Sequence, residues 1–551
     1  MTLRDYKKAY AEFDLRSAVA VLSNGFSENL NACYECCDRY ADFDPERVAL
    51  QCENQKGEYA QYTYGQLKEY SGRFANFLKS QNIKPGDRVA ALLPRTLELI
   101  VTILGTWRAG AVYQPLFTAF GDKAIEYRLD SSSAPLVVVD TGNRFKLDKL
   151  KRRPIIMHVH DANKDMAASD LLFWAEINRQ SPDFKPVPCG PDHPFFLMFT
   201  SGTTGPAKSL SLPIKALAGF LAYMRDGLDL RPDDMYWNLA DPGWAYGLYY
   251  AVTGALAAGH PTLLYDGPFS PETAIRVIKK HKITNLAGSP TAYRMLMAAG
   301  PDAARPIKGQ LRVVSSCGEP LNPEVIRWFA EHLNVTIHDQ YGQTELGMVV
   351  GNHHALAHPV HVGSTGFPMC GYRVVVLDAQ NNELPPHQPG ILALDRKNSP
   401  LFWFTGYENV DTPSLDDRYY RTGDTVELNE DGSISFIGRL DDVITSAGYR
   451  IGPFDVESAL IEHPAVIEAA VIGKPDPERT QIVKAYVVLH SGYESSDKLR
   501  GELQAHVRQR LSAHVYPREI EFLDQLPKTP SGKIQRFILR DLEKAKATHR
   551  I

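Results

Sequence analysis

The sequence predicts an α/β protein with a large N-terminal domain and a small, mobile C-terminal domain. Apolar, strand-like runs alternate with amphipathic helical stretches from about residue 45 to about residue 340. From about His361 to Gly438, short β-rich runs are instead separated by turn pairs such as Asp431-Gly432, and the first alternation returns after Asp441. A chain of 551 residues is also too long for one hydrophobic core, so several domains are expected.

The first region is expected to form parallel sheets. Strands are predicted at Arg88–Leu93, Pro135–Asp140, Pro194–Phe199, Pro261–Tyr265, Ile283–Ala287, Leu311–Ser315 and Val335–His338, and helices at Leu97–Arg108, Pro271–His281 and Pro323–Glu331. This alternation is typical of βαβ units, in which helices cover both faces of a parallel sheet. We therefore expect two doubly wound α/β subdomains, with ligand sites at the carboxyl ends of their strands.

The remaining chain predicts a distorted β-barrel or antiparallel sheet, followed by a small α/β domain. Strands are expected first at Tyr372–Leu377, Ile391–Leu394, Val426–Leu428 and Ile434–Ile437, and later at Ala465–Gly473, Lys484–Leu489 and Glu519–Phe522. Helices are expected near Phe454–His463 and Ser496–Arg510. We place the boundary at Asp441, which gives a large domain of residues 1–440 and a small domain of residues 441–551.

Composition excludes several classes of function. Hydrophobic residues make up 44% of the chain and charged residues 23%, as is usual for a globular protein. The net charge of −5 argues against a nucleic-acid partner, whose phosphates call for a basic face. No signal-peptide pattern is recognised at the N-terminus, and no apolar run approaches the roughly 20 residues that span a bilayer. We expect a cytoplasmic protein without a membrane span, either a monomer or a homodimer.

The first candidate site follows the predicted strand Pro194–Phe199. It has the sequence Thr200-Ser201-Gly202-Thr203-Thr204-Gly205-Pro206-Ala207-Lys208. Hydroxyls, small residues that allow close backbone approach and a terminal lysine suit a phosphate-binding loop. The spacing is neither that of a Walker A motif nor that of a dinucleotide fingerprint. The alternative is a flexible polar loop without a ligand.

Two further segments carry groups suited to a nucleotide. Asp339-Gln340-Tyr341-Gly342-Gln343-Thr344-Glu345 offers an aromatic ring for adenine and, in Thr344 and Glu345, a hydroxyl and a carboxylate for Mg²⁺. Tyr420-Arg421-Thr422-Gly423-Asp424 offers a carboxylate, expected on a turn, that could accept both ribose hydroxyls. The alternative for the first is a strand end with a polar turn. Taken alone, the second is better explained as an ordinary Gly-Asp turn.

Two last segments complete a set of five. One runs from Gly438-Arg439-Leu440-Asp441-Asp442 through Ala447-Gly448-Tyr449-Arg450, and the other is Pro527-Lys528-Thr529-Pro530-Ser531-Gly532-Lys533. In this order and at these separations, the five segments resemble the adenylate-forming superfamily of acyl-CoA synthetases, luciferases and peptide-synthetase adenylation domains. Ala447–Pro453 and Tyr516-Pro517-Arg518 further resemble medium-chain acyl-CoA synthetases. The loop departs from the family pattern at Ala207, where proline usually precedes the lysine.

The resemblance implies an AMP-forming acyl-CoA synthetase that joins a carboxylic acid to CoA through an acyl-AMP, using ATP and Mg²⁺. It implies that residues 200–208 hold the β- and γ-phosphates, and that Gly318, Glu319, Pro320 and Asp339 to Thr344 form the adenine pocket. Glu345 would bind Mg²⁺, and Asp424 the ribose. Arg439 and Arg450 would support the nucleotide, and Lys533 would bridge the acid and the α-phosphate.

For the second half-reaction, the family's small domain rotates about a hinge, here Asp441. The resemblance implies that Ala447, Gly448 and Tyr449 then line the pantetheine path, and that Arg479, Tyr516 and Arg518 contact the CoA nucleotide. Two alternatives stay open. The enzyme could load a carrier protein instead of free CoA, or the chain could be a catalytically silent nucleotide-binding protein.

The acyl pocket is expected to involve Trp244, Tyr246, Gly342 and Gly347. Acetate-specific relatives carry a tryptophan where this chain has Gly342, and that side chain closes the pocket beyond a methyl group. A glycine is expected to leave this space open. The sequence therefore predicts acids longer than acetate, from about butyrate to octanoate, or compact aromatic acids.

Overall fold

Two largely parallel sheets form most of the large domain in the computed structural model. The structure describes residues 3–159, 167, 169–200, 207–446, 449–477, 479–511, 515–529 and 533–548, and it describes the side chains of all of these except 449, 450, 547 and 548. In spatial order the seven-stranded sheet comprises Ser209–Pro213, Pro194–Phe199, Val112–Pro115, Arg88–Leu92, Leu136–Asp140, Ile155–Val159 and Leu171–Leu172. Its first pair is antiparallel and the others are parallel.

The second sheet has six strands and ends in an antiparallel edge. In spatial order these strands are Tyr236–Asn238, Asn285–Gly288, Val313–Cys317, Ile337–Gln343, Gly347–Gly351 and Phe367–Pro368. The first four are parallel, and the last two pair antiparallel. There are also two small sheets. One has the three strands Thr262–Asp266, Val48–Asn54 and Tyr59–Thr63, and the other has the two strands Arg4–Asp5 and Leu356–Ala357.

A four-stranded antiparallel sheet stands between these sheets and the C-terminal part of the chain. Its strands, in spatial and sequence order, are Val374–Leu377, Gly390–Asp395, Tyr419–Leu428 and Ile434–Arg439. The C-terminal sheet comprises Tyr449–Ile451, Ile444–Ser446, Thr480–Leu489, Val466–Asp476 and Glu519–Phe522, the last pairing in parallel with Thr480–Leu489.

Helices connect and cover the sheets. The α-helices are Tyr6–Ala11, Leu15–Val19, Arg39–Ala41, Tyr64–Ser80, Leu97–Arg108, Asp122–Ser132, Phe173–Asn178, Ala216–Ala222, Ala255–Ala257, Pro271–His281, Pro290–Ala298, Pro301–Ala304, Pro323–Leu333, Pro453–Ile461, Asp497–Arg510 and Arg536–Thr548. Wider π-helical turns occur at Tyr34–Asp38, Tyr223–Gly227 and Gly247–Gly254, and 3₁₀ turns at Arg144–Leu147, Arg305–Ile307 and Arg396–Asn398. Several helices begin with the cap that their sequence predicts; Ser270, for example, caps the helix that starts at Pro271.

Separate hydrophobic cores support the division into a large and a small domain. The two largest clusters of buried apolar side chains lie between residues 18 and 434. A third cluster, from Ile444 to Ile520, and a fourth, from Ala470 to Leu539, draw only on the C-terminal residues. The α/β fold class is thus confirmed, and the predicted barrel region is an antiparallel sheet.

Two predictions about local structure are wrong in a way that matters for the site. The segment that begins at Asp339 was expected after a strand ending at His338, but the strand runs from Ile337 to Gln343. Asp424 was expected on a turn, but it lies within the long strand Tyr419–Leu428. Both segments are polar, so the first was placed beyond the end of a strand and the second on a turn. In the fold, pairing with neighbouring strands satisfies their backbone groups.

None of the helices formed by the described residues combines the length and the apolar character that are needed to cross a bilayer.

Candidate active site

A cavity of about 720 Å³ lies where the six-stranded sheet, the four-stranded sheet and the small domain meet. It opens at the carboxyl ends of the parallel strands, as expected for a doubly wound sheet. The predicted site residues that line it are Thr200, Lys208, Gly318, Glu319, Pro320, Asp339, Gln340, Tyr341, Gly342, Gln343, Thr344, Glu345, Asp424, Arg439, Asp441 and Lys533. The fold therefore brings all five sequence segments to one place, with contributions from both domains.

Asp424 is a buried carboxylate that two neighbouring side chains hold in position. Its Oδ2 accepts hydrogen bonds from the Tyr341 hydroxyl, at 2.5 Å, and from Nε2 of Gln343, at 3.0 Å. Burial raises the pKa of Asp424, and the positive charge of Arg439 and these two hydrogen bonds oppose the rise. The carboxylate is thus a preformed acceptor for hydroxyl donors.

Glu345 is buried as well, and Tyr407 connects it with Lys208. The Tyr407 hydroxyl donates to Oε1 of Glu345 at 2.6 Å, and the Lys208 ammonium lies 4.9 Å from the centroid of the Tyr407 ring. Burial raises the pKa of Glu345, and the hydrogen bond from Tyr407 opposes this rise. A carboxylate and a cation therefore meet at one tyrosine beside the cavity.

Thr200 and Lys208 close the neck of the loop between them. The Thr200 amide donates to the Lys208 carbonyl at 2.9 Å, and the Lys208 amide donates to Oγ1 of Thr200 at 3.2 Å. The loop residues predicted to contact phosphates, Ser201, Gly202, Thr203, Thr204 and Gly205, lie outside the described residues. The described part of this segment fixes where the loop leaves and rejoins the sheet.

Asp339 and Gln340 are adjacent in their strand, so their side chains point to opposite faces. Gln340 accepts a hydrogen bond from the Tyr223 hydroxyl and donates to the Gly227 carbonyl at 3.0 Å. Its amide group thus bonds to the interior of the large domain, while Gln340 also lines the cavity. Its place in an adenine pocket stays a prediction. Oδ1 of Asp339, by contrast, is buried and has no hydrogen-bond partner among the described residues, and burial raises the pKa of this group well above its usual range.

The segment Gly318–Pro320 is shaped by its glycine and held through its carboxylate. Gly318 has a φ of +95°, which glycine adopts without strain. Glu319 accepts hydrogen bonds from the hydroxyl of Thr291, at 2.9 Å, and from Nη2 of Arg294, at 3.0 Å. Arg294 also lines the cavity, although it belongs to none of the sequence motifs.

Lys533 reaches the cavity from the small domain, just before the helix Arg536–Thr548. The segment is held by its backbone, because the Lys533 amide donates to Oγ1 of Thr529 at 3.1 Å and its carbonyl accepts from the Thr529 amide at 2.8 Å. The side chain is exposed, and among the described residues its ammonium group forms no hydrogen bond or ion pair. The positive charge of Lys533 is one of the influences that lower the pKa of Asp424, against the rise that burial causes.

Polar contacts between the domains support this placement of Lys533. Nδ2 of Asn322 donates to the Ser458 hydroxyl at 3.0 Å. Nη2 of Arg327 lies 3.0 Å from Oε1 of Glu462, which also pairs with Arg510. The small domain is thereby attached to the helix Pro323–Leu333 and to the residue before it.

Three of the residues predicted to bind CoA, Arg479, Tyr516 and Arg518, do not line the cavity. Ala447 and Gly448 lie outside the described residues, as do the side chains of Tyr449 and Arg450. The Arg479 amide donates to Asp476 in the turn between two long strands, and the Arg518 guanidinium lies 5.4 Å from the centroid of the Tyr516 ring. Arg518 and Tyr516 thus form one surface pair, separate from Lys533.

The expected acyl pocket is not present in the predicted form. An added Cβ at Gly342 would lie 2.2 Å from the carbonyl oxygen of Gly347, so the neighbouring strand fills the space that was expected to be open. Gly347, Trp244 and Tyr246 do not line the cavity. Trp244 packs between Phe117 and Phe120, 5.3 Å from each ring centroid.

Tyr246 belongs instead to a layer of buried aromatic side chains behind the strand Ile337–Gln343. Its hydroxyl lies 2.9 Å from that of Tyr223, the residue that bonds to Gln340. The sequence also gave no reason to select Tyr407, because it lies in an irregular segment far from Glu345 in the chain. The Tyr420 hydroxyl donates to Oε1 of Gln343 at 3.0 Å. Because Tyr420 belongs to the same motif as Asp424, it could have been predicted as a site residue from the sequence.

Sequence profiles define the class of protein to which this site belongs. The profile of the family described as AMP-binding enzyme matches residues 37–406, and that of the AMP-binding enzyme C-terminal domain matches residues 455–533. The first match covers more than half of the chain and contains both the loop and the Asp339–Glu345 segment, while the second ends at Lys533. The chain belongs to the AMP-binding enzyme family.

Individual relatives narrow this class. The chain is 55% identical to a crystallised acyl-CoA synthetase of Brucella canis, with a TM-score of 0.81 over 99% of this chain and 100% of that one. It is 39% identical to the acetyl-coenzyme A synthetase of Bacillus subtilis over 98% of this chain and 95% of that protein. It is 35% identical to a mitochondrial acyl-coenzyme A synthetase of Rattus norvegicus over 91% of this chain and 88% of that protein. The enzyme is accordingly an acid–thiol ligase of the acyl-CoA synthetase type.

Proposed function

We propose that this enzyme activates a short- to medium-chain fatty acid or a compact aromatic acid with ATP and transfers the acyl group to free CoA. The observation that carries the proposal is the cavity in which Lys533, with no partner for its ammonium group among the described residues, faces the buried carboxylate of Asp424. A lysine ammonium group without a partner among the described residues, in a cavity large enough for a nucleotide, suits a reaction between two anions, the carboxylate of the acid and the phosphates of ATP.

In the first half-reaction, the carboxylate of the acid attacks the α-phosphorus of ATP, the acyl–O–P bond forms, and the bond to pyrophosphate breaks. The acid is already ionised at neutral pH, so no general base is needed. Lys533 is proposed to neutralise the charge that builds up between the two anions, which requires alignment and electrostatic stabilisation above all. Asp424 would accept the ribose hydroxyls, and Thr200 to Lys208 would hold the β- and γ-phosphates.

Adenine is proposed to lie between Gly318–Pro320 and the strand residues Asp339 and Tyr341. The unpartnered Oδ1 of Asp339 is a buried acceptor in this part of the cavity, and an exocyclic amine is the kind of donor that would satisfy it. Arg439, paired with the strand position of Asp424, would support the nucleotide from the other side.

Mg²⁺ fits the donors that line the cavity. Glu345 offers a carboxylate that the Tyr407 hydroxyl orients, next to Thr344. Mg²⁺ is usually held by one or two protein carboxylates together with substrate phosphates, so a single glutamate beside the phosphate loop is a suitable donor set. When bound, the ion would stabilise the negative charge of the departing pyrophosphate.

In the second half-reaction, the CoA thiol attacks the acyl carbonyl carbon, and AMP leaves. For this step we propose that the small domain rotates at Asp441, which withdraws Lys533 and brings Ala447, Gly448 and Tyr449 to the cavity. Arg479, Tyr516 and Arg518 would then bind the CoA nucleotide. The exposed Arg518 over the half-buried ring of Tyr516 is suited to an anionic, aromatic ligand.

The proposal that the acids are longer than acetate is supported by the resemblance to medium-chain acyl-CoA synthetases and not by Gly342, where the neighbouring strand fills the space. One relative is named for acetate. Each methylene buried in an apolar pocket contributes up to about 0.8 kcal/mol, so kcat/KM is expected to rise up to about fourfold per carbon until the pocket is full. Because a side chain at Gly342 would meet the neighbouring strand, Gly342→Trp is expected to disturb the strand pairing and is not a clean test of pocket length.

The test combines a substrate panel with a separation of the two half-reactions. Acids from C2 to C12 and benzoate are compared by AMP release with and without CoA, and by acid-dependent exchange of pyrophosphate into ATP. We expect exchange without CoA, and CoA-dependent AMP release that is fastest with an acid longer than acetate. Fastest turnover with acetate would refute the chain-length proposal. Exchange without acyl-CoA formation would favour a carrier protein as acceptor.

A further inference from the structure

The helix Pro323–Leu333 begins after an asparagine whose side chain does not cap it. Asn322 is the N-cap residue of this helix, a position that favours asparagine because the side-chain oxygen can accept from a free amide of the first turn. The Asn322 side chain makes no such bond, although the residue is only 3% exposed. Its buried amide group therefore serves contacts outside the helix.

The two ends of this amide join the cavity to the small domain. Oδ1 of Asn322 accepts a hydrogen bond from Nη1 of Arg294 at 3.1 Å, and Nδ2 donates to the Ser458 hydroxyl at 3.0 Å. A guanidinium carries donors only, so the end of the amide that faces Arg294 must be the oxygen. Because the amide group is planar, the bond from Arg294 also directs its nitrogen toward Ser458.

Arg294 is in turn held by the cavity wall. Its Nη2 donates to Oε2 of Glu319 at 3.0 Å, and the two side chains are 11% and 12% exposed. Both residues line the cavity, as does Asn322. Glu319 belongs to Gly318–Pro320, the segment proposed to contact adenine. A continuous chain of contacts therefore leads from that segment through Arg294 and Asn322 to Ser458.

Glu319 also acts on the small domain through its charge. Oε2 of Glu457, the neighbour of Ser458 in the helix Pro453–Ile461, lies 2.7 Å from Nη2 of Arg536. Burial lowers the pKa of Arg536, but nearby carboxylates, among them Glu457 and Glu319, outweigh burial and raise it. The same small-domain helix is thus connected to Glu319 by a second route that does not pass through Asn322.

We propose that Asn322 is a positioning residue that couples nucleotide binding to the docking of the small domain. The inference rests on the proposed nucleotide site beside Gly318–Pro320. A nucleotide packed against that segment restrains Glu319 and Arg294, and the restrained Arg294 holds the Asn322 amide in its bond to Ser458. Because binding linkage is reciprocal, the docked small domain raises the affinity for the nucleotide by the same factor.

The experiment compares Ser458→Ala, Asn322→Ala and the double variant, with Ser458→Thr as the conservative variant that keeps the hydroxyl. Ser270→Ala is the matched control, because Ser270 caps a large-domain helix that also begins with proline. The probe is α,β-methylene-ATP with Mg²⁺, an analogue that cannot release pyrophosphate. Calorimetry measures its Kd, and amide hydrogen exchange with and without the probe reports on peptides covering residues 453–461.

In the wild type, the probe should slow amide exchange in residues 453–461. Ser458→Ala and Asn322→Ala should each remove this protection and raise the Kd about 2- to 10-fold, the range expected for loss of one hydrogen bond. The double variant should bind no more weakly than Asn322→Ala, because one break already interrupts the chain of contacts. Ser458→Thr and Ser270→Ala should keep the wild-type Kd and the protection.

Protection of residues 453–461 that survives Ser458→Ala would overturn the inference, as would a wild type that binds the probe without any protection. A merely capping role of Asn322 would give a different pattern. Asn322→Ala and Ser270→Ala would then lower the melting temperature alike, and Ser458→Ala would leave Kd and protection unchanged. A wild type that does not bind the probe would refute the proposed nucleotide site itself, and this inference with it.

Discussion

Asp424 and Lys533 face the same cavity, but the protein holds them in opposite ways. Asp424 is 5% exposed, lies within a ten-residue strand, and accepts hydrogen bonds from Tyr341 and Gln343. Lys533 is exposed, lies in an irregular segment, and is fixed only through backbone contacts with Thr529 among the described residues. The large domain thus supplies a carboxylate that its neighbours hold in place. The small domain supplies an ammonium group that no other described side chain of the cavity binds.

This difference matches the two tasks that the proposed reaction assigns. A nucleotide must stay bound through both half-reactions, so its ribose acceptor is best built into the interior of the larger domain. A cation that is needed only while pyrophosphate leaves can be carried by a domain that moves away. The contacts between the domains include polar ones, such as those of Asn322 with Ser458 and Arg327 with Glu462.

The largest expected effect is that of Lys533→Ala. Loss of one charged contact to the transition state costs on the order of several kcal/mol, so adenylation should fall by about a thousandfold or more. Thioester formation from synthetic acyl-AMP should stay within about threefold of the wild type, because the ammonium is not needed there. Single-turnover assays of each half-reaction measure both values, and an equal loss in the two would refute the role of Lys533.

Asp424→Asn should weaken binding of ATP in the first half-reaction and of the acyl-AMP in the second. An acceptor of charged hydrogen bonds contributes about 1.5–3 kcal/mol, so KM for ATP should rise roughly 10- to 100-fold. Burial raises the pKa of Asp424, so in the wild type kcat/KM for ATP should decline on acidification at a higher pH than an ordinary aspartate would give. The acid limb due to this group should be absent in the variant.

Stability provides the control for that variant. A folded-state pKa above the unfolded value means that Asp424 favours folding at low pH and that this contribution is lost as pH rises through the raised pKa. Asp424→Asn removes the buried charge but keeps an acceptor for Tyr341 and Gln343. We therefore expect an equal or higher melting temperature at neutral pH; a clearly lower one would mean that activity was lost through unfolding.

Asp441→Pro should have the opposite effect to that expected for Lys533→Ala: the second half-reaction should slow and not the first. Proline fixes φ and is expected to restrict rotation between the domains, so thioester formation should slow by about tenfold or more while adenylation changes little. The measurement is single-turnover formation of acyl-AMP beside that of acyl-CoA. Asp441→Ala, which leaves φ free, is the matched control, and unimpaired thioester formation in the proline variant would remove the hinge assignment.

The sequence predicted which residues lie together at the cavity better than it predicted the local structure around each of them. The strand–helix alternation predicted both large sheets, and ordered motifs predicted most of the residues that line the cavity. The strand before Asp339 was ended too early and Asp424 was placed on a turn, because hydrophobic patterning does not recognise a strand with polar side chains. The predicted opening at Gly342 failed for a different reason, because the close approach of the strand at Gly347 depends on tertiary packing.

The smallest effect is expected at the contact between the domains. Nη2 of Arg327, on the helix Pro323–Leu333, lies 3.0 Å from Oε1 of Glu462 in the small domain, and the Arg327 side chain is 47% exposed. Exposed ion pairs contribute up to about 1 kcal/mol and weaken with salt, so Arg327→Gln should reduce the population in which Lys533 faces the cavity by up to about fivefold. Adenylation should slow by that factor at low salt, thioester formation should be unchanged or faster, and the difference should shrink at high salt. Arg305→Gln is the control, because Arg305 pairs with Asp302 within its own domain. If Arg327→Gln slowed both half-reactions equally, the contact would contribute to general stability and not to the placement of Lys533.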